Sequence, residues 1–160
     1  MASSFPFGSD IGVSSIAEIE ALERSSGVPF SVTSTYRPGD PLYHGKHNAV
    51  DSVSSSANMI KMAAYLYQYS PYLLELIHSG GGGFFVSNGK RYDHFSAQIV
   101  ADHWNHVHCA ATLSGLRAAA IGGLTIPANA PSKIGCLPAT ATTAVAMAGL
   151  LLGGIEWIIR

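Results

Sequence analysis

Charged side chains are scarce in this chain of 160 residues. They make up 12% of the sequence, about half the share that is usual in soluble domains. Nine basic and ten acidic residues leave a formal net charge of −1, and no run of lysine or arginine stands out. A nucleic-acid-binding protein normally carries a basic patch or stripe, so we predict no nucleic-acid partner.

Cysteine is also rare, with Cys109 and Cys136 as the two residues of this type. Their spacing matches neither a zinc finger nor a redox motif. Two buried free thiols are the favoured interpretation, and a disulfide between them stays open. The N-terminal segment MASSFPFGSD has no basic region and no apolar core, so we expect no secretory signal.

Patterns of apolar residues predict a mixed α and β domain over residues 1–117. Helical spacing occurs in SSIAEIEALERSSG and in SSSANMIKMAAYLYQYS, each with a serine available as the N-cap. Strands are predicted in VPFSVTSTY, YLLELIHSG and NHVHCAA, with a turn at residues 80–83 and a hairpin at Asn88-Gly89. The expected fold class is α+β, with a small antiparallel sheet flanked by helices.

The composition changes after residue 117. Three prolines and many small residues without a regular period predict a linker over 118–138. Residues 139–160 then form an apolar segment whose acidic residue is Glu156. About 20 apolar residues can span a bilayer as a helix, and Trp157 and Arg160 stand where interfacial anchors are expected. A helix rich in small residues can equally pack against partner subunits, so both interpretations stay open.

Histidine is present in excess, with seven residues. The stretch HGKHNAVD contains His44 and Asp51, and NHVH places His106 and His108 two apart on a predicted strand, hence on one face. A catalytic zinc site needs three protein ligands with nitrogen or oxygen donors and one open position. His44, Asp51 and one histidine of the 106/108 pair meet this requirement.

These motifs resemble the zinc D-alanyl-D-alanine carboxypeptidase and L-alanyl-D-glutamate endopeptidase family, which includes many phage endolysins and tail-associated peptidases. His44 and Asp51, with six residues between them, are similar to the first family motif, and NHVH looks like the second. Tyr36-Arg37 matches a Tyr-Arg that follows an early strand in the family, and LLELIHSG resembles the strand before the second motif. The resemblance covers residues 14–113.

The resemblance implies a zinc cleft in which His44, Asp51 and His108 are the metal ligands. It also implies that Arg37 holds the substrate carbonyl or the oxyanion of the tetrahedral intermediate. The expected substrate is the stem peptide of peptidoglycan, and the expected reaction is hydrolysis of one of its amide bonds.

The general base departs from the pattern of the family. Many members carry an acid three residues before the last ligand, where this sequence has Asn105, whose amide takes up no proton at neutral pH. His106 matches the first histidine of the His-x-His members and is the favoured base, with Asp102 as the second candidate. Asn105 also leaves open a structural or wall-binding protein that keeps the zinc fold without turnover.

His47 is a further departure, because relatives usually have glycine at this position. Solvent-facing placement is the favoured interpretation of His47, and a fourth metal ligand or a substrate contact are the alternatives. Tyr36 and Trp104 are the other candidates for substrate contacts. We expect His103 to shape the cleft wall.

Together these expectations describe a zinc peptidase of a phage virion that acts at the host cell envelope from the tail tip. The apolar segment 139–160 favours a virion component over a free endolysin, because it can pack against other phage tail subunits or enter the host membrane. A membrane-anchored host peptidase is less favoured, since its N-terminal domain would have to be exported without a signal.

Overall fold

The computed structural model of the chain describes residues 10–121. These residues form an α+β fold with one antiparallel six-stranded sheet, as the sequence predicts. The helices are α1 (Ile16–Arg24), α2 (Ser56–Tyr67), α3 (Ala97–Asp102) and α4 (Leu113–Ile121), and the strands are β1 (Ser31–Ser34), β2 (Ala49–Val53), β3 (Glu75–His78), β4 (Phe84–Ser87), β5 (Lys90–Arg91) and β6 (Val107–Ala110). No helix within this range is long and apolar enough to cross a membrane. The apolar segment 139–160 lies outside the described residues.

The strand order in the sheet is β1-β2-β6-β3-β4-β5. β6, the last strand along the chain, therefore lies between β2 and β3. Asp51 on β2 pairs with His108 on β6, and His108 pairs in turn with Ile77 on β3. Directly opposed residues of antiparallel strands point to the same side of the sheet, so these three side chains form one row across its centre.

The hydrophobic core lies on one face of the sheet, beneath α1, α2 and α4. The neighbouring row of paired residues, Val50, Cys109 and Leu76, points into this core, and all three side chains are completely buried. Burial of an aliphatic side chain of this size stabilises the fold by about 1.5–3 kcal/mol. The helical face of the sheet thus holds the domain together, which leaves the opposite face free for polar side chains.

Helices α1 and α2 confirm the predictions made from apolar spacing. Ile19 and Leu22 of α1, two apolar residues of the predicted helical segment SSIAEIEALERSSG, are buried in the core. Ser55 is the N-cap of α2, and its side chain accepts a hydrogen bond from the backbone N–H of Asn58. An N-cap serine satisfies a donor that the first helical turn leaves unpaired.

The predicted hairpin is also confirmed. Asn88 and Gly89 connect β4 and β5 with φ values of 48° and 74°. Positive φ at both central positions is the requirement of the two-residue turn that Asn-Gly favours.

Two elements of the site region were not predicted. β2 lies between the first predicted strand and the second predicted helix, and α3, with six residues, lies between the predicted hairpin and the predicted strand NHVHCAA. Helix α4 continues to Ile121, so helical structure extends past residue 117, where the composition changes. The remaining residues of the predicted linker lie outside the described range.

Candidate metal centre

The three predicted ligands come from two adjacent strands and the turn before one of them. His44 begins a short 3-10 turn that precedes β2, Asp51 lies on β2, and His108 lies on β6. Their exposed fractions are 3%, 4% and 6%, respectively. Nδ1 of His44 donates a hydrogen bond to the carbonyl oxygen of Thr35, and this contact directs Nε2 of the same ring toward the other two ligands.

The ligand atoms lie at the separations that a metal ion requires. Nε2 of His44 is 3.2 Å from Oδ1 of Asp51 and 3.3 Å from Nδ1 of His108. Nδ1 of His108 is 2.8 Å from the same carboxylate oxygen. Around a tetrahedral zinc ion with bonds of about 2.0–2.1 Å, neighbouring ligand atoms are about 3.3 Å apart. The buried group His44, Asp51 and His108 could therefore hold a metal ion.

Contacts within this group shift the pKa values of its members. Burial raises the pKa of the Asp51 carboxyl, but the hydrogen bonds with His108 and His44 outweigh it and hold that pKa well below its usual range. Burial lowers the pKa of His108, but the Asp51 and Glu75 carboxylates outweigh it and raise that pKa to about 9. A metal ion that binds at neutral pH must therefore displace a proton from His108.

Arg37 lies beside the ligands, in the loop after β1. Its guanidinium donates a hydrogen bond to Oδ2 of Asp51, and its Nε donates to Oγ of Ser34 at 2.8 Å. About half of the Arg37 side chain, 48%, stays exposed. Arg37 thus neutralises the carboxylate oxygen that faces away from the histidines, and the rest of its guanidinium remains accessible to a bound molecule.

The ligands form the floor of an open cleft with a volume of about 350 Å³. One wall comes from the loop that contains Arg37, Leu42 and Tyr43, and the other comes from α3 and the segment that follows it. Glu75 and Ile77 of β3 complete the floor. A molecule in this cleft would lie directly against the ligand group.

His106 and Asp102, the two candidate bases, both line this cleft. Nε2 of His106 is 3.9 Å from Oδ1 of Asp51, and its Nδ1 is 2.9 Å from Oδ1 of Asn105. Because an amide oxygen only accepts, Nδ1 carries the hydrogen and Nε2 keeps its lone pair. Burial lowers the pKa of His106, which keeps the ring neutral near pH 7. Asp102 ends α3, where its Oδ1 accepts a hydrogen bond from Gln98 at 2.7 Å.

Tyr36, His47 and Trp104, the candidate substrate contacts, are not among the side chains that line the cleft. The rings of Tyr36 and His47 stack on each other with centroids 3.9 Å apart, and Trp104 is 66% exposed. His47 has a φ of 58° and is not part of the ligand group. Its left-handed backbone is a conformation that glycine adopts without strain, in agreement with the glycine that the resemblance implies at this position.

The remaining histidines near the cleft support its wall. The ring of His103 lies 4.6 Å from that of His106 and lines the cleft, as predicted. His78 is buried on the core side, and its Nδ1 donates a hydrogen bond to the carbonyl oxygen of His106 at 2.9 Å. These contacts hold the segment before β6 in place. Cys109 is buried in the core, and Cys136 lies outside the described residues.

Glu75 is a charged residue of the cleft to which none of the sequence motifs points. Its Oε2 lies 3.1 Å from Nε2 of His108. A single acidic residue within the apolar run LLELIH was the available signal, because a strand buried on both faces normally excludes a lone charge.

Comparison of the chain with protein-family models, with curated proteins and with solved structures finds no match. The resemblance to zinc peptidases therefore depends on the motifs and their spacing. The metal centre depends on the geometry of His44, Asp51 and His108, which stands independently of that resemblance.

Proposed function

We propose that this chain is a zinc-dependent peptidase that hydrolyses an amide bond in the stem peptide of peptidoglycan. The observation that carries the proposal is the buried group of His44, Asp51 and His108 at the floor of an open cleft. Three protein ligands facing a cleft are the arrangement of catalytic zinc sites, whereas structural zinc sites are closed by four. The motif order and spacing of the zinc peptidase family support the same reaction.

Zinc is the proposed metal because of the donor set. Two imidazole nitrogens and one carboxylate oxygen are common zinc ligands, and their separations of 2.8–3.3 Å fit a tetrahedral ion. When bound, zinc supplies Lewis-acid chemistry: it polarises a carbonyl group and lowers the pKa of a water molecule to about 7.

The side chains around the ligands supply the remaining chemistry. His106 accepts the proton of the attacking water at Nε2 and returns it to the leaving amine. Asn105 takes part by accepting the hydrogen bond from Nδ1 of His106, which keeps Nε2 unprotonated and available. Arg37 stabilises the negative oxygen of the intermediate with the exposed part of its guanidinium.

The proposed setting is the tail tip of a phage particle, which must open the cell wall locally. The apolar segment 139–160 supports this setting, since it can pack against other tail subunits or enter the host membrane.

Hydrolysis of purified peptidoglycan by the zinc-loaded chain tests the proposal. We expect new amino and carboxyl termini in the stem peptides, identified by mass spectrometry of the released fragments. His108→Ala should reduce the release to background, whereas His94→Ala, at an exposed histidine outside the cleft, should leave it unchanged. A wild-type chain that carries stoichiometric zinc and releases nothing would refute the peptidase.

A wall-binding protein without turnover is the second candidate, and the observation that favours it is Asn105 at the position of the usual acid. In this case the zinc-loaded chain co-sediments with peptidoglycan, releases no fragments, and gains activity when the acid is restored in Asn105→Asp. Activity of the wild-type chain together with its loss in His106→Ala would exclude this candidate.

A further inference from the structure

The two ring nitrogens of His108 each face a carboxylate. Nδ1 lies 2.8 Å from Oδ1 of Asp51, and Nε2 lies 3.1 Å from Oε2 of Glu75. The two acids come from the strands on either side of β6, Asp51 from β2 and Glu75 from β3. The imidazole of His108 on β6 is thus contacted by one carboxylate from each of the two neighbouring strands.

The register of the sheet explains how Glu75 reaches this position. On β3, Ile77 is directly opposite His108, and Glu75 is opposite Ala110. Glu75 is therefore a diagonal neighbour of His108 on the same face, a separation that long side chains can bridge. The small side chain of Ala110 leaves room for this path across the sheet.

Glu75 has apolar neighbours on one side. Next to it lies the small buried cluster of Ala49, Leu74 and Ala110, against which Tyr43 packs. The Glu75 side chain is 17% exposed, and its Oε2 lies within ion-pair distance of Nε2 of His108. This nitrogen makes no well-aligned hydrogen bond to any group among residues 10–121. A carboxylate in such a position is costly unless a hydrogen-bond donor or a cation faces it. His108 is the group that faces it.

We propose that Glu75 is a positioning residue, which holds the His108 imidazole by its Nε2–H so that Nδ1 is presented to the metal ion. Metal-binding histidines usually donate their second ring N–H to a carboxylate or carbonyl, which fixes the ring orientation and the tautomer. His44 has such a partner in the carbonyl oxygen of Thr35, and Glu75 provides the equivalent for His108. Glu75 is not itself a ligand, because it contacts the nitrogen on the far side of the ring from the ligand group.

The inference rests on the metal centre of the proposed function and is independent of the bond that the protein cleaves. Its test is the zinc affinity of purified full-length variants, measured by competition with a chromogenic chelator over a series of pH values and extrapolated to deprotonated His108, so that weaker competition from protons in a variant is not counted as tighter binding. Glu75→Gln keeps the shape and an accepting oxygen but loses the charge, and Glu75→Leu loses both. Glu18→Gln, in the first turn of α1 on the helical side of the sheet, is the matched control.

We expect Glu75→Gln to weaken zinc binding by roughly 10–100-fold and Glu75→Leu to weaken it further, while Glu18→Gln stays within twofold of the wild type. The visible spectrum of the cobalt-substituted protein should also change in Glu75→Gln, because it reports the geometry of the ligands. A side chain with a merely structural role would lower the thermal stability and leave both readouts unchanged. Near-UV circular dichroism of the metal-free variants checks that each is folded.

Equal zinc affinities of Glu75→Gln and the wild type would overturn the inference. Because Glu75→Gln keeps the shape of the side chain, it provides the test even if Glu75→Leu does not fold. If the wild-type chain binds zinc but does not cleave peptidoglycan, the peptidase proposal is refuted, and the zinc affinities of the variants still test the role of Glu75. A wild-type chain that binds no zinc would end both.

Discussion

Glu23 of α1 is a buried acid on the helical face of the sheet. Its side chain is completely buried, and Oγ of Ser52 donates a hydrogen bond to its Oε2 at 2.7 Å. Its Oε1 has no hydrogen-bond partner in the described part of the chain. Burial raises the pKa of this carboxyl from 4.5 to about 8, although the hydrogen bond from Ser52 acts in the opposite direction.

This raised pKa makes the free energy of unfolding depend on pH. Between pH 4.5 and about 8, the unfolded chain loses the Glu23 proton that the folded chain retains, so stability falls as the pH rises. Each pKa unit corresponds to about 1.4 kcal/mol. The titration of Glu23 should therefore lower the free energy of unfolding by roughly 4–5 kcal/mol between acidic pH and pH 8.

Glu23→Gln removes this titration and keeps the shape of the side chain. Urea unfolding of the metal-free protein gives the free energy of unfolding of the variant and of the wild type at pH 5 and at pH 8. The value for the variant minus the value for the wild type should be about 3–4 kcal/mol more positive at pH 8 than at pH 5. Glu18→Gln, in the first turn of the same helix, is the control, since it removes one carboxylate of α1 and leaves the buried Glu23 in place. If the free energies of unfolding of Glu23→Gln and wild type differ by the same amount at both pH values, the pKa of Glu23 is not raised in the folded protein.

Two further predictions concern the metal and the second helix. Because the pKa of His108 is raised to about 9 and the metal must displace its proton, zinc affinity should fall about tenfold for each pH unit from pH 8 to pH 6. Competition titrations at three pH values measure this, and a pH-independent affinity would contradict it. Ser55→Ala removes the N-cap of α2 and should lower the free energy of unfolding by about 1 kcal/mol in urea, whereas Ser55→Asp should restore it.

The elements that were predicted correctly are those whose sequence pattern is complete within a few residues. Helices α1 and α2 show apolar spacing over two or three turns, and Asn88-Gly89 is a turn signal in itself. The elements that were missed carry no such signal. β2 contains Asp51 and Ser52 amid apolar residues, which breaks the alternation of a half-buried strand, and α3 is too short for a helical period to appear.

Two short sequence motifs are enough to identify the side chains that could form a metal site. The types and spacing of His44, Asp51 and His108 are local properties of two short motifs, and the structure brings these residues together. The substrate contacts of Tyr36, His47 and Trp104 stay predictions, because these side chains do not line the cleft and a motif does not state which way a loop side chain points.

The way in which the site is assembled follows from the strand order of the folded sheet. The insertion of β6 between β2 and β3 depends on contacts between residues far apart in the chain, and no local pattern encodes a strand order. The same register gives His108 a carboxylate on each side and places His106 on the cleft wall. The sequence gives no reason for a single acidic residue, Glu75, in an apolar strand. The reason that we infer is the contact with the His108 imidazole of the neighbouring strand, which exists only in the folded sheet.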